Sequence, residues 1–101
     1  MELKPGGRYR SQVCETEVII VRPLPGDVDL TCGGQPIIDH AESASGGTPA
    51  AGLDTGTQMG KRYTEDTGAL EVLVTKPGAG TLAIGTTPLV LKDSKPLPAS
   101  D

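Results

Sequence analysis

The side chains in this sequence that could do chemistry are two cysteines, one histidine, two Arg-Tyr pairs and two Asp-Thr-Gly triplets. A cysteine thiolate is both a nucleophile and a metal ligand. Cys32 is followed by Gly33-Gly34, and paired glycines let backbone amides approach an anion closely. His40, the only histidine, follows Asp39. Cys32 with His40 is therefore the one nucleophile–base pair that the composition offers, across the strand between them. Cys14, Cys32 and His40 are also three ligands that suit zinc, with Asp39 or water as a fourth. No CxxC or HxxxH spacing accompanies them. The competing reading makes the cysteines small core hydrophobes, Gly33-Gly34 a turn, and His40 an exposed residue at a loop start. That reading is preferred. Cys32 should lie nearer Glu17 than Cys14 on the neighbouring strand, so no direct disulfide between the two cysteines is expected.

The Arg-Tyr pairs belong to a larger pattern. GGRYRSQVCETEVIIVRP, beginning at Gly6, returns as GKRYTEDTGALEVLVTKP, beginning at Gly60. Residues 6–30 align with 60–84 at constant offset, pairing Arg8 with Arg62, Tyr9 with Tyr63, Glu17 with Glu71, Val28 with Leu82 and Leu30 with Ile84. Dropping two residues near Cys32 continues the match through Gly33/Gly85, Pro36/Pro88 and Ile38/Val90. Self-similarity of this kind marks a repeated supersecondary unit. Cys14 falls opposite Gly68 and Cys32 falls in the gap, so the cysteines belong to the first copy alone. Both copies keep Arg and Tyr. Arg8 and Arg62 could clamp a carboxylate or phosphate, or bridge to acids on a partner. Tyr9 and Tyr63, the only aromatic residues, suit an interface. Against this, the tyrosines could simply close each end of the fold.

Asp54-Thr55-Gly56 and Asp66-Thr67-Gly68 resemble the Asp-Thr-Gly signature of aspartic proteases. The chain length resembles that of the small homodimeric members. The resemblance covers only those few residues. The family sets the triplet after an apolar strand and carries a later apolar pair plus Gly. Residues 51–53 and 63–65 are poor strands, and Ile84-Gly85 comes too soon after either triplet. Asp-Thr-Gly is also a common turn, and that reading is kept.

These residues must be positioned by strands. Fourteen Gly and nine Pro argue against long helices. Each copy reads as three strands: residues 13–21, 28–31 and 36–38 in the first, and 69–75, 81–84 and 88–91 in the second. β-Branched residues and two-residue alternation carry the assignment, and Gly and Pro carry the turns. Six strands in two triplets predict an all-β fold, a small antiparallel barrel or sandwich with pseudo-twofold symmetry. One triplet alone leaves an apolar face and two edges bare, and its copy covers them. The chain is a single domain over residues 1–101, with repeat units at 6–39 and 60–92 and a loop or linker at 40–59. A short helical turn at 41–44 is a further option. Residues 93–101, Pro-rich and polar, are expected to be extended.

With no Trp or Phe, the core rests on Val, Ile, Leu and Ala, which bury less area per side chain. A core this thin is expected to draw stability from association. The net charge is −4, with acids and bases interspersed, so nothing points to nucleic acid. No apolar run is long enough to cross a membrane as a helix, and nothing after Met1 resembles a signal peptide. A cytoplasmic protein with reduced thiols is expected. The expected function is non-catalytic: a small accessory subunit or protein-binding β module, joining itself or a larger partner such as a metabolic enzyme. No cofactor is expected on this reading. The alternatives are an anion- or zinc-binding protein using Arg8 and Arg62, or Cys14, Cys32 and His40, and a cysteine-dependent enzyme using Cys32 with His40.

Overall fold

The structure, a computed structural model, describes residues 2–92. These contain no helix and ten short strands: β1 Arg8–Arg10, β2 Glu17–Arg22, β3 Leu30–Cys32, β4 Gln35–Pro36, β5 Ile38–Asp39, β6 Arg62–Thr64, β7 Glu71–Lys76, β8 Leu82–Ile84, β9 Thr87–Pro88 and β10 Val90–Leu91. They make two antiparallel sheets. One has six strands in the order β10-β6-β7-β2-β1-β5, the other four in the order β4-β3-β8-β9.

The longest strands, β2 and β7, carry the β-branched runs EVIIVR and EVLVTK and pair with each other at the centre of the larger sheet. Residues directly opposite on paired strands share a face. One face carries the row Tyr9, Val18, Val74 and the row Tyr63, Val72, Ile20, all buried. The other carries Arg8, Ile19, Leu73 and Arg62 in a single row across four strands. Leu30, Cys32 and Leu82 of the smaller sheet join the same core, so the two sheets share one apolar interior. Ile20, Cys32, Leu70 and Val72 are its most deeply buried members.

The strands differ from expectation in three ways. The Arg-Tyr pairs stand in strands of their own, β1 and β6, which pair with β2 and β7 in the same register: Tyr9 opposite Val18, Tyr63 opposite Val72. β2 starts at Glu17 rather than at residue 13, because residues 11–16 fold back on themselves. The Ser11 amide donates to the Thr16 carbonyl at 2.9 Å, and the Val13 amide to Ser11 Oγ at 3.1 Å. Serine and threonine offer the backbone this local alternative to a ladder. The strands expected at 36–38 and 88–91 are each split in two, since Ile37 and Leu89 turn inward and bond back to the Leu30 and Leu82 carbonyls.

β3 and β8 each lead into a two-residue turn, Gly33-Gly34 and Gly85-Thr86. Both Gly33 and Gly34 have positive φ, at 66° and 91°, as a primed hairpin turn requires. The matching positions of β3 and β8 pair Leu30 with Leu82, so the two-residue change in offset falls within residues 23–29 and not near Cys32. Cys32 thereby stands where the second half has Ile84.

Residues 40–59 contain no strand, yet they are tied to the sheets. Ala50 donates to the Gly33 carbonyl, Gly46 to Gln12, and Thr57 to Gly78. Residues 41–44 form no helical turn; Asp39 instead holds a tight turn by accepting from the Ala41 amide at 2.9 Å. The expected extended tail at 93–101 lies outside the described residues.

Candidate functional site

The two cysteines meet. Cys14 lies in the folded-back connection between β1 and β2, and Cys32 ends β3 in the opposite sheet. Their Sγ atoms are 3.8 Å apart and both thiols are free. The expectation that they lie apart is corrected, and the reason is the sheet assignment. β2 and β3 do not pair as a hairpin; they enter different sheets, and the 11–16 bend carries Cys14 inward.

The surroundings of Cys14 are built from hydrogen-bond donors. The Gly80 amide donates to its Sγ at 3.3 Å. The thiol donates to Thr16 Oγ1 at 3.2 Å, and that hydroxyl can turn its proton back to a thiolate. Thr16 Oγ1 lies 3.1 Å from Thr57 Oγ1, which accepts from the Gly78 amide at 3.1 Å. Gly78 and Gly80 leave room for nothing larger. A Cβ on Gly78 would stand 2.5 Å from both the amide nitrogen and the hydroxyl of Thr16, and one on Gly80 would stand 3.0 Å from Cys32 Sγ.

This setting separates the two thiols chemically. Burial acts to raise the pKa of Cys14, but hydrogen bonds from the Ser11 and Thr16 side chains and from the Thr16 and Gly80 backbone outweigh it and bring it to about 7. Cys32 is fully buried, and burial, with the charge of Cys14 added, pushes its pKa up to about 12. An acid with a lowered pKa gains its thiolate as pH rises through that value. Iodoacetamide should therefore label the folded, reduced protein at Cys14 with a rate midpoint near pH 7, leaving Cys32 unlabelled. A midpoint near the ordinary thiol value of about 8.5, or labelling of Cys32 first, would contradict this assignment.

His40 takes no part. It is exposed at the end of β5, where its amide donates to the Arg8 carbonyl and its Nδ1 lies 3.5 Å from Asp39 Oδ1. Among the described residues no group of three or more His, Cys, Asp or Glu side chains is placed to hold a metal. The structure thus gathers neither the Cys14–Cys32–His40 zinc set nor the Cys32–His40 dyad. The amide of Gly33, offered as an anion donor, is spent on the Thr81 carbonyl at 2.9 Å.

Tyr9 and Tyr63 are core residues, 7% and 8% exposed, which favours the closing role over the interface role. The Tyr63 hydroxyl accepts from the Gln58 amide at 3.0 Å. Arg8 and Arg62 share a face but are three strand spacings apart, roughly 14 Å, with Ile19 and Leu73 between them. Arg62 is engaged with buried Glu71, whose carboxylate lies 3.0 Å from Arg62 Nη1 and 2.6 Å from Lys92 Nζ. The Lys92 hydrogen bond and charge, with Arg62, hold Glu71 below the usual carboxylate range against the opposing effect of burial. The matching residues of the first half, Arg8, Glu17 and His40, line a cleft of about 190 Å³, and no ion pair among the described residues joins them.

The second Asp-Thr-Gly triplet forms a turn, and the first lies in an irregular stretch that bends at Thr55. Asp54 and Asp66 are exposed. The second triplet wraps the Glu65 carboxylate, which accepts from the Thr67 hydroxyl and the Thr67, Leu70 and Ala69 amides; these bonds bring its pKa down to about 2. Sequence reading missed Thr16, Thr57, Gly78 and Gly80 as partners of the cysteines, because they come from three separate stretches of chain. No protein-family model, curated protein or solved structure matches this chain.

Proposed function

We propose that this chain is a non-catalytic β module built from two copies of one unit, and that it associates with itself or with a larger partner by adding a strand at β10. The observation that carries the reading is the contrast among the sheet edges. An open edge is a template for another chain, and proteins blunt it with proline or charge. β4 and β9 carry Pro36 and Pro88, and β5 carries Asp39 beside His40. β10 carries no proline, and the charge beside it, Lys92, is drawn onto Glu71 at 2.6 Å. It pairs only with β6 among the described residues, and its two residues, Val90 and Leu91, are 55% and 40% exposed. Backbone pairing at such an edge supplies affinity, and the apolar side chains supply choice of partner.

Duplication is supported by the matched registers of β1–β2 and β6–β7, and by the pairing of each half with the other through β2–β7 and β3–β8. Of the two forms expected, barrel or sandwich, the sandwich is part of the same proposal; two separate antiparallel sheets over a shared core support it. A cytoplasmic setting remains part of the reading and suits two free thiols.

Sedimentation equilibrium on the wild type and on Val90→Lys tests the association. The wild type should form a complex, with itself or with a co-purified chain of defined stoichiometry. The charged variant should lose it while keeping its melting temperature, since Val90 is exposed. A wild type that is monomeric and unaccompanied at every concentration, or a variant that assembles unchanged, overturns the reading.

A further inference from the structure

Neither cysteine is used by the association proposed above, yet they form the most elaborately built cluster in the molecule. We propose that Cys14 and Cys32 form a thiol–disulfide exchange site, with Cys14 as the attacking sulfur and Cys32 as the resolving one. The substrate class is a small or flexible disulfide able to reach Cys14 from solvent.

Geometry fixes the order of attack. Cys14 is partly exposed and Cys32 is fully buried, so an incoming disulfide meets Cys14. The Gly80 amide and the Thr16 hydroxyl are aimed at Cys14 Sγ, where negative charge must sit before attack. Cys32 Sγ lies 3.8 Å away, within the core. A disulfide needs about 2.05 Å between sulfurs. Cys14 lies in a bend with no ladder bond of its own, so it is the partner free to close that gap.

The steps balance as follows. The Cys14 thiolate attacks one sulfur of RS–SR; the Cys14–SR bond forms, the S–S bond breaks, and RS⁻ leaves. RS⁻ is released to solvent, where it takes up the proton that Cys14 gave up and departs as RSH; Cys32 loses its own proton to water before the second step, and the second RS⁻ regains it there. Loss of the Cys14 charge removes one of the effects that kept Cys32 protonated. The Cys32 thiolate then attacks Cys14 Sγ, the Cys14–SR bond breaks, and the second RS⁻ leaves. The two protein sulfurs are oxidised by two electrons and RS–SR is reduced to two thiols. The second half of the chain has Gly68 and Ile84 at the matching places and cannot do this.

The test treats reduced protein with oxidised glutathione, quenches with acid, unfolds, traps free thiols with N-ethylmaleimide and weighs the intact chain. The wild type should lose both N-ethylmaleimide additions and carry no glutathione. Cys32→Ser should stop with one glutathione on Cys14, and Cys32→Ala repeats this should a buried hydroxyl disturb the core. Cys14→Ser should acquire glutathione about a hundredfold more slowly, since only the buried thiol remains. A wild type that keeps a stable glutathione adduct with Cys32 still free overturns the proposal. So does a Cys14→Ser protein, shown folded by circular dichroism, that reacts as fast as Cys32→Ser.

Discussion

Gly78→Val should lower the thermal midpoint by about 10–20 °C, the largest loss expected of any single change near the thiol pair. The Cβ would stand 2.5 Å from the Thr16 amide nitrogen and its hydroxyl, and 3.0 Å from Cys14 Sγ. The Thr16 nitrogen is backbone and cannot rotate away. Its carbonyl also closes the 11–16 bend through Ser11, so a shift there propagates to Cys14. Overpacking of this kind costs about 1–3 kcal/mol or more, and a domain of this size loses about 4–8 °C per kcal/mol. Circular dichroism melts measure it, with Ala79→Val, one residue away and exposed, as the control that should melt like the wild type. The alkylation midpoint of Cys14 should rise in whatever Gly78→Val protein remains folded, because the donors around the sulfur are displaced. A Gly78→Val protein that melts with the wild type would show that the glycine is not required by close packing.

Oxidising the thiol pair should raise the melting temperature by about 10 °C. The bond would close a loop between positions separated by 18 residues. A cross-link over such a loop stabilises by about 3 kcal/mol through the unfolded chain, less whatever strain closure introduces. Scanning calorimetry on the oxidised and reduced forms checks this. An oxidised form that melts at or below the reduced one would mean that closing the gap from 3.8 Å strains the fold by as much as the constraint stabilises it.

Much of the fold was legible in the sequence, and the reason is periodicity. Val18 and Ile20 alternate with half-exposed Ile19, as Val72 and Val74 do with Leu73, and such runs fix a strand and its buried face with no outside help. Gly33-Gly34 marked its turn because few other residues accept two successive positive φ values. The short strands were harder. Arg8–Arg10 and Arg62–Thr64 have three residues each, too few to show a period, and they exist because β2 and β7 offer them an edge. The candidate site was only half legible. The cysteines and their restriction to one copy were visible, but their meeting was not. It depends on which sheet each strand enters, and that is settled by the packing of the two halves. Hence the sequence favoured Cys32 as nucleophile for its neighbouring glycines and histidine, whereas the hydrogen-bond partners gather at Cys14.

The prolines at β4 and β9 also set a valence. Pro36 and Pro88 leave the smaller sheet without a full ladder on either side, and Asp39 and His40 guard one end of the larger. On the association proposed above, a single receptive edge among the described residues cannot propagate. Two copies joined β10 to β10 would then consume both edges, so growth would end at a closed pair rather than running on into a fibre.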